Sequence, residues 1–431
     1  MASTILTRTV ASTGNNKILT FSAWVKRCDN STGQLIAANG DPTTANYIIF
    51  FEFTGGGLRF IIKSLSILAN VETNTLFQDL SAWYHLVFTM DTTQATASDR
   101  VKMYVNGEQI TDFALANYPS QNLGTQFNNV DSVISVGGKY VTGANTDFFN
   151  GSMSHVHLID GTVYDADTFG ETDATTGIWK PKTEPSVTYG TNGFFLKGEN
   201  SGALGTDSSG NANNLTVTGT PTQTVDTPSN VFCTLNHLSK VGTSTYANGN
   251  TTYVKVDDSG TAGTLGASKG KYYWEYKFVG SSNVVVAGVI DASIRPTTNI
   301  NNTGTAGYYP LGSSAWKDTT EVTTGLSGYS DGMIVGLAFD ADNGDIYTWV
   351  NGVAENSGNA IITGLDTTKT WLPFTCTGNP NINLNFGNGF FGTTAVASAQ
   401  NPDDGIGIFE YDVPAGYRAL CTKSINAQEY S

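Results

Sequence analysis

The sequence predicts an all-β protein made of two antiparallel β-sandwich (jelly-roll) domains in tandem. Its 431 residues are long for one core and suit two domains of about 200 residues each. Only 14% of the residues are charged, and Gly, Thr, Ser and Asn dominate the polar composition, so turn residues and strand formers outnumber helix formers. Apolar stretches recur roughly every ten residues with no amphipathic helical segment between them.

The first half is predicted to consist of short strands separated by turns. The stretch NYIIFFEFTGGGLRFIIKS predicts two strands joined at Gly55, Gly56 and Gly57, where a hairpin turn needs positive φ. SAWYHLVFTMD alternates in a way that lets one face be buried. In VKMYVNGEQI, Asn106 and Gly107 predict a type I′ hairpin turn.

The second half predicts its own set of strands, including GKYYWEYKFVG and NINLNFGNG. Asn351 and Gly352 predict another type I′ turn, which is the same turn chemistry and not a sequence repeat. Between the halves the chain becomes rich in Gly, Ser, Thr and Asn. We therefore expect a first sandwich over residues 1–200, an ordered bridge over 201–234 and a second sandwich over 235–431.

The net charge of −15 argues against a nucleic-acid partner, because phosphate contacts come chiefly from Lys and Arg. No run approaches the roughly 18 apolar residues that cross a bilayer, and the N-terminus lacks the pattern of a secretory signal. We expect no membrane insertion and no use of the Sec pathway.

The four cysteines, Cys28, Cys233, Cys376 and Cys421, lie far apart without the spacing of a zinc site. Free thiols are expected, as in a protein that folds in a reducing cytoplasm, and a single pairing is the alternative.

Several motifs resemble known families. FSAWVKR, WYHLVFTMD, KMYVNGEQI and FFNGSMSHVHLIDG resemble the concanavalin A-like, laminin G-like jelly roll across roughly residues 1–200. GKYYWEYKF, VVVAGVID, DGMIVGLAFDADNGDIYTWVNG, WLPFTC, NLNFG and VPAGYRAL follow one another as in a SPRY domain. The bridge DSSGNANNLTVTG, with DTPSNVFCTLNHL after it, resembles the join in structural proteins of marine tailed phages that pair these two sandwiches.

The resemblance implies a non-enzymatic phage virion surface protein, either a capsid decoration or a tail-fibre-type adhesin. Its expected partners are other virion proteins and a host-surface glycan or protein. It would be made in the cytoplasm of the host bacterium and displayed on the virion surface, with a homotrimer as one expected assembly. An intracellular SPRY-type scaffold that binds peptides is a further alternative, which the phage-like bridge disfavours.

The main alternative is an enzyme that degrades polysaccharides on the jelly-roll fold. Related laminarinase-like enzymes carry an E-x-D-x-x-E strand, which this sequence lacks, and retaining hydrolysis needs two carboxyls about 5 Å apart. Glu52 lies in an apolar strand with no acidic residue two positions away. The sequence therefore predicts no catalytic residues.

Metal binding is not predicted either. His155 and His157 would share one face of a strand, as metal ligands can, but no third ligand is evident nearby. No cofactor is expected. A structural calcium ion held by loop carboxylates such as Asp29, Asp41 or Asp99 remains the alternative, since laminin G-like domains often bind calcium at a rim.

The candidate ligand-binding residues are Tyr308, Tyr309 and Trp316. They fall in GTAGYYPLGSSAWKD, which is rich in turn residues and has no clear alternating pattern. Exposed aromatic rings stack on sugar faces or anchor interfaces. The alternative is that the three rings cover the core beneath a long loop.

Overall fold

The structure is a computed structural model that describes residues 4–174, 177–254, 256, 258–280, 285–378 and 381–429. Nearly all of its regular structure is β-strand, and α1, at Thr422–Glu429, is the α-helix of this described part. The predicted fold class, an all-β chain with two antiparallel β-sandwiches in tandem, is confirmed. No described helix has the length and apolar character needed to span a membrane.

The chain divides into two compact units, Met1–Gln223 and Thr224–Ser431. The division falls inside the 201–234 segment. Strand Thr216–Thr218 of that segment pairs with Ile5–Thr9, so the early part of the segment completes a sheet of the first unit. Val284, the first residue of the VVVAGVID motif, lies outside the described residues.

The first unit contains short strands and two short 3-10 helices, Ala97–Asp99 and Ala166–Thr168. In chain order the strands are β1 Ile5–Thr9, β2 Ile18–Arg27, β3 Gln34–Gly40, β4 Tyr47–Thr54, β5 Gly57–Ser64, β6 Ser66–Thr73, β7 Tyr84–Asp91, β8 Val101–Val105, β9 Glu108–Gln109, β10 Phe113–Asn117, β11 Val133–Val136, β12 Lys139–Val141, β13 Ala144–Thr146, β14 Gly151–Asp160, β15 Gly170–Thr172, β16 Trp179–Pro181, β17 Phe194–Leu196 and β18 Thr216–Thr218.

Within the described residues these strands form two large sheets and two small hairpins. One sheet has eight strands in the order β10-β6-β5-β4-β3-β11-β1-β18, and the other has six in the order β17-β14-β2-β7-β8-β9. Their facing sides bury a cluster of phenylalanines, in which Phe88 contacts Phe50, Phe51 and Phe60. Burying each such ring stabilises the fold by about 1.5–3 kcal/mol.

The predicted turns are found in this unit. Gly55 and Gly56, with φ of 58° and 97°, connect β4 to β5. Asn106 and Gly107, with φ of 50° and 90°, connect β8 to β9. Positive φ at both central residues is the requirement of the type I′ turn.

The second unit has the same kind of organisation, with short 3-10 helices at Pro310–Gly312 and Asn356–Gly358. Its strands are β19 Leu235–Val241, β20 Thr245–Ala247, β21 Thr252–Val254, β22 Ser259–Gly263, β23 Lys271–Val279, β24 Ala287–Asp291, β25 Thr305–Tyr309, β26 Ser314–Lys317, β27 Thr320–Thr324, β28 Ile334–Asp340, β29 Asp345–Val350, β30 Val353–Ala354, β31 Trp371–Thr377, β32 Asn381–Asn385, β33 Phe390–Phe391, β34 Thr394–Ala395 and β35 Arg418–Ala419.

Two sheets enclose the core of this unit. Among the described residues, one sheet runs β19-β22-β31-β24-β25-β26-β27 and the other runs β20-β21-β32-β23-β28-β29-β30, with β35 parallel to β23. The buried Tyr276 hydroxyl of β23 lies 3.0 Å from the carbonyl oxygen of Gly288 and 3.1 Å from that of Phe374, both in the opposite sheet. A hydrogen bond through the core therefore fixes the middle of the seven-stranded sheet.

The buried carboxylate of Glu275 ties the C-terminal segment to the outer side of the eight-stranded sheet of this unit. It accepts hydrogen bonds from the backbone N–H groups of Glu410 and Tyr411, at 3.0–3.1 Å, and from Asn385 Nδ2 at 3.0 Å. Burial raises the pKa of Glu275 to about 7, and the hydrogen bonds partly oppose that rise.

Candidate functional site

Tyr308, Tyr309 and Trp316 lie on a β-hairpin, where the sequence predicted a long loop. β25 pairs with β26, with Gly307 opposite Trp316 and Tyr308 opposite Ala315. The prediction of a long loop is wrong. The two strands have only five and four residues, and glycines and a Pro-Leu-Gly turn interrupt the alternating pattern that would have indicated them. Side chains alternate between the two faces of a strand, so Tyr308 and Tyr309 point to opposite sides of the sheet.

Tyr308 faces the core. Its side chain is fully buried, and its hydroxyl donates a hydrogen bond to the carbonyl oxygen of Ser327. Burial raises the pKa of this hydroxyl. Tyr308 therefore packs between the sheets and is not among the side chains that a ligand on the outside could contact.

Tyr309 and Trp316 lie on the outer side of the seven-stranded sheet and are both partly exposed. They pack against a second buried cluster, which includes Val286, Phe374 and Cys376. Trp316 Nε1 donates to Ser314 Oγ at 3.1 Å, which holds the indole along its own strand. Each ring thus has one part supported by the protein and another part open to solvent.

A row of directly paired residues crosses six strands at Trp316. In spatial order the row is Glu321, Trp316, Gly307, Gly288, Phe374 and Ala262. Gly307 and Gly288 carry no side chains, and both are buried in the sheet beside Trp316. We call Tyr309, Trp316, Gly307, Gly288 and Glu321 the outer aromatic face.

The two glycines are required by the backbone. A Cβ on Gly307 would lie 2.6 Å from both the Ala287 carbonyl oxygen and the Gly288 Cα, and a Cβ on Gly288 would lie 2.4 Å from the Ala306 carbonyl oxygen. These strands approach too closely for any larger residue. The main chain beside Trp316 is therefore tightly packed.

The charges around this face are unevenly distributed. Glu321 is exposed and stands directly opposite Trp316, on the same side of the sheet. The ammonium group of Lys317 donates to the carbonyl oxygens of Thr363 and Gly364, at 3.0 and 2.7 Å. Lys369 is paired with Asp291 at 2.6 Å. Lys317 keeps its charge but lies on the core-facing side with its partner Ala306, so Glu321 places its negative charge on the outer side beside Trp316.

Glu52, which was considered as a catalytic carboxylate, forms an ion pair within its sheet. Glu52 lies in β4, and its Oε2 accepts from Arg59 Nε at 3.1 Å and from a terminal nitrogen of Arg59 at 2.7 Å. Glu72 of β6 is opposite Arg59 on the other side. The guanidinium group therefore lies in the row between the two carboxylates, a geometry that neutralises charge.

His85 and His157 of the first unit are buried beneath aromatic rings. His85 Nδ1 accepts from Trp179 Nε1 at 3.0 Å, so Nε2 carries the proton and donates to Ser22 Oγ at 2.9 Å. Burial lowers the pKa of His85 to about 3. His157 stacks on Phe195, with 3.9 Å between ring centroids, and its pKa is also lowered by burial.

His155 does not simply share the face of His157, because a bulge between Ser154 and His157 interrupts the strand pairing and gives His155 a φ of 49°. In the part of the chain that the structure describes, no group of three or more His, Cys, Asp or Glu side chains could hold a metal ion.

The loop carboxylates named as calcium candidates are bonded to nearby protein groups. Asp29 accepts from the backbone N–H of Ser31 at 2.8 Å and also from Asn150. Asp41 accepts from the backbone N–H groups of Thr43 and Thr44 at 2.7 and 3.0 Å. Asp99 lies 3.4 Å from the Lys102 ammonium group.

A family model matches part of the first unit. Residues 3–167 match the Laminin_G_3 family, described as the concanavalin A-like lectin/glucanases superfamily. The match covers less than half of the 431 residues. A search of curated proteins found no match.

Solved SPRY structures resemble part of the chain. The SPRY domain of human HERC1 is 16% identical, with a TM-score of 0.30, and the match covers 35% of this chain and 96% of that one. The PSpry domain of TRIM65 is 15% identical, with a TM-score of 0.29, and the match covers 36% of this chain and 91% of that one.

Sequence reasoning had not selected Glu321, Gly288 or Gly307. The glycines carried a usable signal, because an isolated Gly within an apolar strand often marks a close backbone approach. Glu321 carried none, since its importance comes from pairing with Trp316 across a bulge in the ladder.

Proposed function

We propose that this protein is a non-enzymatic binding protein and that its outer aromatic face binds carbohydrate. The observation that carries the proposal is the placement of two partly exposed aromatic rings, Tyr309 and Trp316, on the outer side of one sheet, with the exposed Glu321 opposite the indole. A pyranose ring has an apolar C–H surface that stacks on the exposed part of an aromatic ring.

The polar groups at this face suit the same ligand. Glu321 can accept hydrogen bonds from two sugar hydroxyls, and the Tyr309 hydroxyl can donate or accept one. Stacking rings with a few polar groups around them is a binding arrangement, since it supplies no nucleophile and no acid–base pair.

The direct test compares the unmodified protein with Trp316→Ala on a glycan array and then by calorimetric titration of the best ligand. We expect Trp316→Ala to weaken binding about 30-fold, because an aromatic anchor contributes about 2 kcal/mol. Trp349→Ala is the matched control, since Trp349 is also partly exposed but lies in the other sheet of the unit. Equal binding by all three proteins would remove the outer aromatic face from the proposal.

The non-enzymatic part has its own test. The protein would be incubated with soluble β-glucans and with host capsule, and reducing ends would be measured. We expect no release. Release that disappears in Glu52→Gln or Glu72→Gln would replace the binding proposal with a hydrolase.

We further propose the virion surface as the setting, on the strength of the sequence resemblance to phage structural proteins that pair these two sandwiches. In that setting the protein is made in the bacterial cytoplasm, contacts other virion proteins and presents its ligand-binding face to the host. Mass spectrometry of purified particles tests this, and absence of the chain from the particles would contradict it.

A further inference from the structure

The charges around the outer aromatic face bear on which sugars it accepts. Glu321 is exposed and paired with Trp316, so its carboxylate stands at the edge of any sugar stacked on the indole. Two unit charges about 7 Å apart in water repel by roughly 0.6 kcal/mol, enough for a threefold change in affinity. The net charge of −15 adds a repulsion of the same sign over a longer range.

Two nearby lysines are held by other groups. Lys317 keeps its charge, but it shares the core-facing side of the sheet with its partner Ala306 and donates to two backbone carbonyls, and Lys369 pairs with Asp291. Another cation near this sheet is Arg295, in the loop between β24 and β25. The loop crosses the opposite half of the sheet, since the Thr297 carbonyl oxygen lies where a Cβ on Gly260 of β22 would be. The loop begins after β24, which is three strand spacings, about 14 Å, from the strand β27 that carries Glu321.

The turn after β26 adds to the negative character of this edge. Asp318 follows the strand directly, and its carboxylate accepts one hydrogen bond from the backbone N–H of Gly304 at 2.7 Å. A neutral N–H donor leaves the negative charge of the carboxylate in place. The β26–β27 edge therefore carries two acidic residues, Asp318 and Glu321, close to the exposed indole.

We propose that the outer aromatic face selects uncharged hexopyranose chains and rejects acidic ones such as uronates and sulfated sugars. Neighbouring hydroxyls of a neutral hexose can both donate to the Glu321 carboxylate while its C–H face stacks on Trp316. A uronate or sulfate would bring a second anion to the same edge. This inference rests on the proposed function and specifies its ligand class.

The test uses the full chain and two probes of equal length, a neutral β-glucan hexasaccharide and a mannuronate hexasaccharide. Binding is measured by calorimetry in low salt and again in 1 M salt. We expect the mannuronate to bind at least about tenfold more weakly in low salt. We expect the difference to shrink in 1 M salt, where the screening length falls to about 3 Å.

Glu321→Gln is expected to reduce the preference for glucan over mannuronate about threefold, because mannuronate binding improves. Glu108→Gln is the matched control, because Glu108 is exposed on an edge strand of the first unit and its loss changes the net charge equally. It should leave the preference unchanged.

The outcomes separate the two proposals. Mannuronate binding as tight as glucan binding, with both lost in Trp316→Ala, overturns the selectivity and leaves the carbohydrate-binding function. Binding that survives Trp316→Ala unchanged overturns the function at this face. Failure of both probes to bind overturns both.

Discussion

Asn106 and Asn351 show how closely one residue type can fix a local structure. Asn106 has a φ of 50°, its Oδ1 accepts the backbone N–H of His85 at 2.8 Å, and its own N–H donates to the His85 carbonyl at 2.9 Å. Asn351 has a φ of 49° and makes the same pair of bonds with Ile334, at 2.9 and 2.8 Å. The turn and the side-chain bond thus support each other in both units.

Replacing either residue by Val tests this arrangement. Asn106→Val and Asn351→Val should each lower the free energy of unfolding by about 2–3 kcal/mol, because a β-branched residue is strained at positive φ and the side-chain bond is lost. Urea denaturation measures the loss, with Asn→Gly at the same positions as the control that keeps the backbone geometry. Glycan binding at 25 °C should remain, and a changed glycan preference at full stability would contradict this structural role.

The hairpin of β15 and β16 acts as a lid on the six-stranded sheet of the first unit. The Trp179 ring lies over Gly107 and Gly170, where added Cβ atoms would meet it at 3.1 and 2.4 Å. The same ring donates to His85. One side chain therefore holds the hairpin, covers the turn and fixes the histidine tautomer.

Trp179→Phe should separate these roles. The ring remains but the N–H donor to His85 is lost, so the unit should lose about 1–2 kcal/mol of unfolding free energy. The lost N–H bond favours the neutral imidazole, so its removal should also let the pKa of His85 rise from about 3 towards its usual value. Histidine titration by NMR measures the shift, and an unchanged His85 titration would show that this hydrogen bond contributes nothing to it.

At the level of elements, most of the strands and turns could be predicted from the sequence. Which side chains face the core could not always be predicted. The Gly55 and Asn106 turns follow from local φ requirements and could be predicted. The separation of Tyr308 from Tyr309 could not, because it depends on a ladder register that is set by pairing with distant strands. The helix at Thr422–Glu429 was also missed, since at eight residues it gives little periodic signal.

For the whole molecule, the two units should respond to pH in opposite directions. Burial lowers the pKa of His85, so its contribution to stability is present above about 6.5 and is lost as pH falls towards 3. Burial raises the pKa of Glu275 to about 7, so its contribution is present below 4.5 and is lost as pH rises through 7.

Calorimetric scans of the full chain between pH 4 and pH 8 test this difference. Each group should change the unfolding free energy of its unit by up to about 1.4 kcal/mol per pH unit inside its window. His85→Gln should reduce the loss of unfolding free energy at acid pH. Glu275→Gln should reduce the loss of unfolding free energy as the pH rises towards 7. Identical pH slopes in these variants and the unmodified protein would contradict the assignment.

The cysteines give a second test at this scale. Cys28, Cys233, Cys376 and Cys421 are buried and form no disulfide with one another, and burial raises the pKa of the Cys376 thiol. A thiol reagent should therefore react slowly with the native protein and should find four thiols after denaturation. Two thiols after denaturation would reveal a disulfide.

The two Asn-Gly turns also bear on how the protein ages chemically. An Asn followed by Gly loses its side-chain amide readily, because the unhindered Gly nitrogen attacks the carboxamide carbon. In the folded chain each carboxamide oxygen is held by an N–H of the preceding strand, which turns the group away from that attack. The isoaspartyl product would lengthen the backbone and destroy a two-residue turn. Folding thus protects the two Asn-Gly turns on which it depends. Deamidation should therefore accumulate in molecules that have already unfolded.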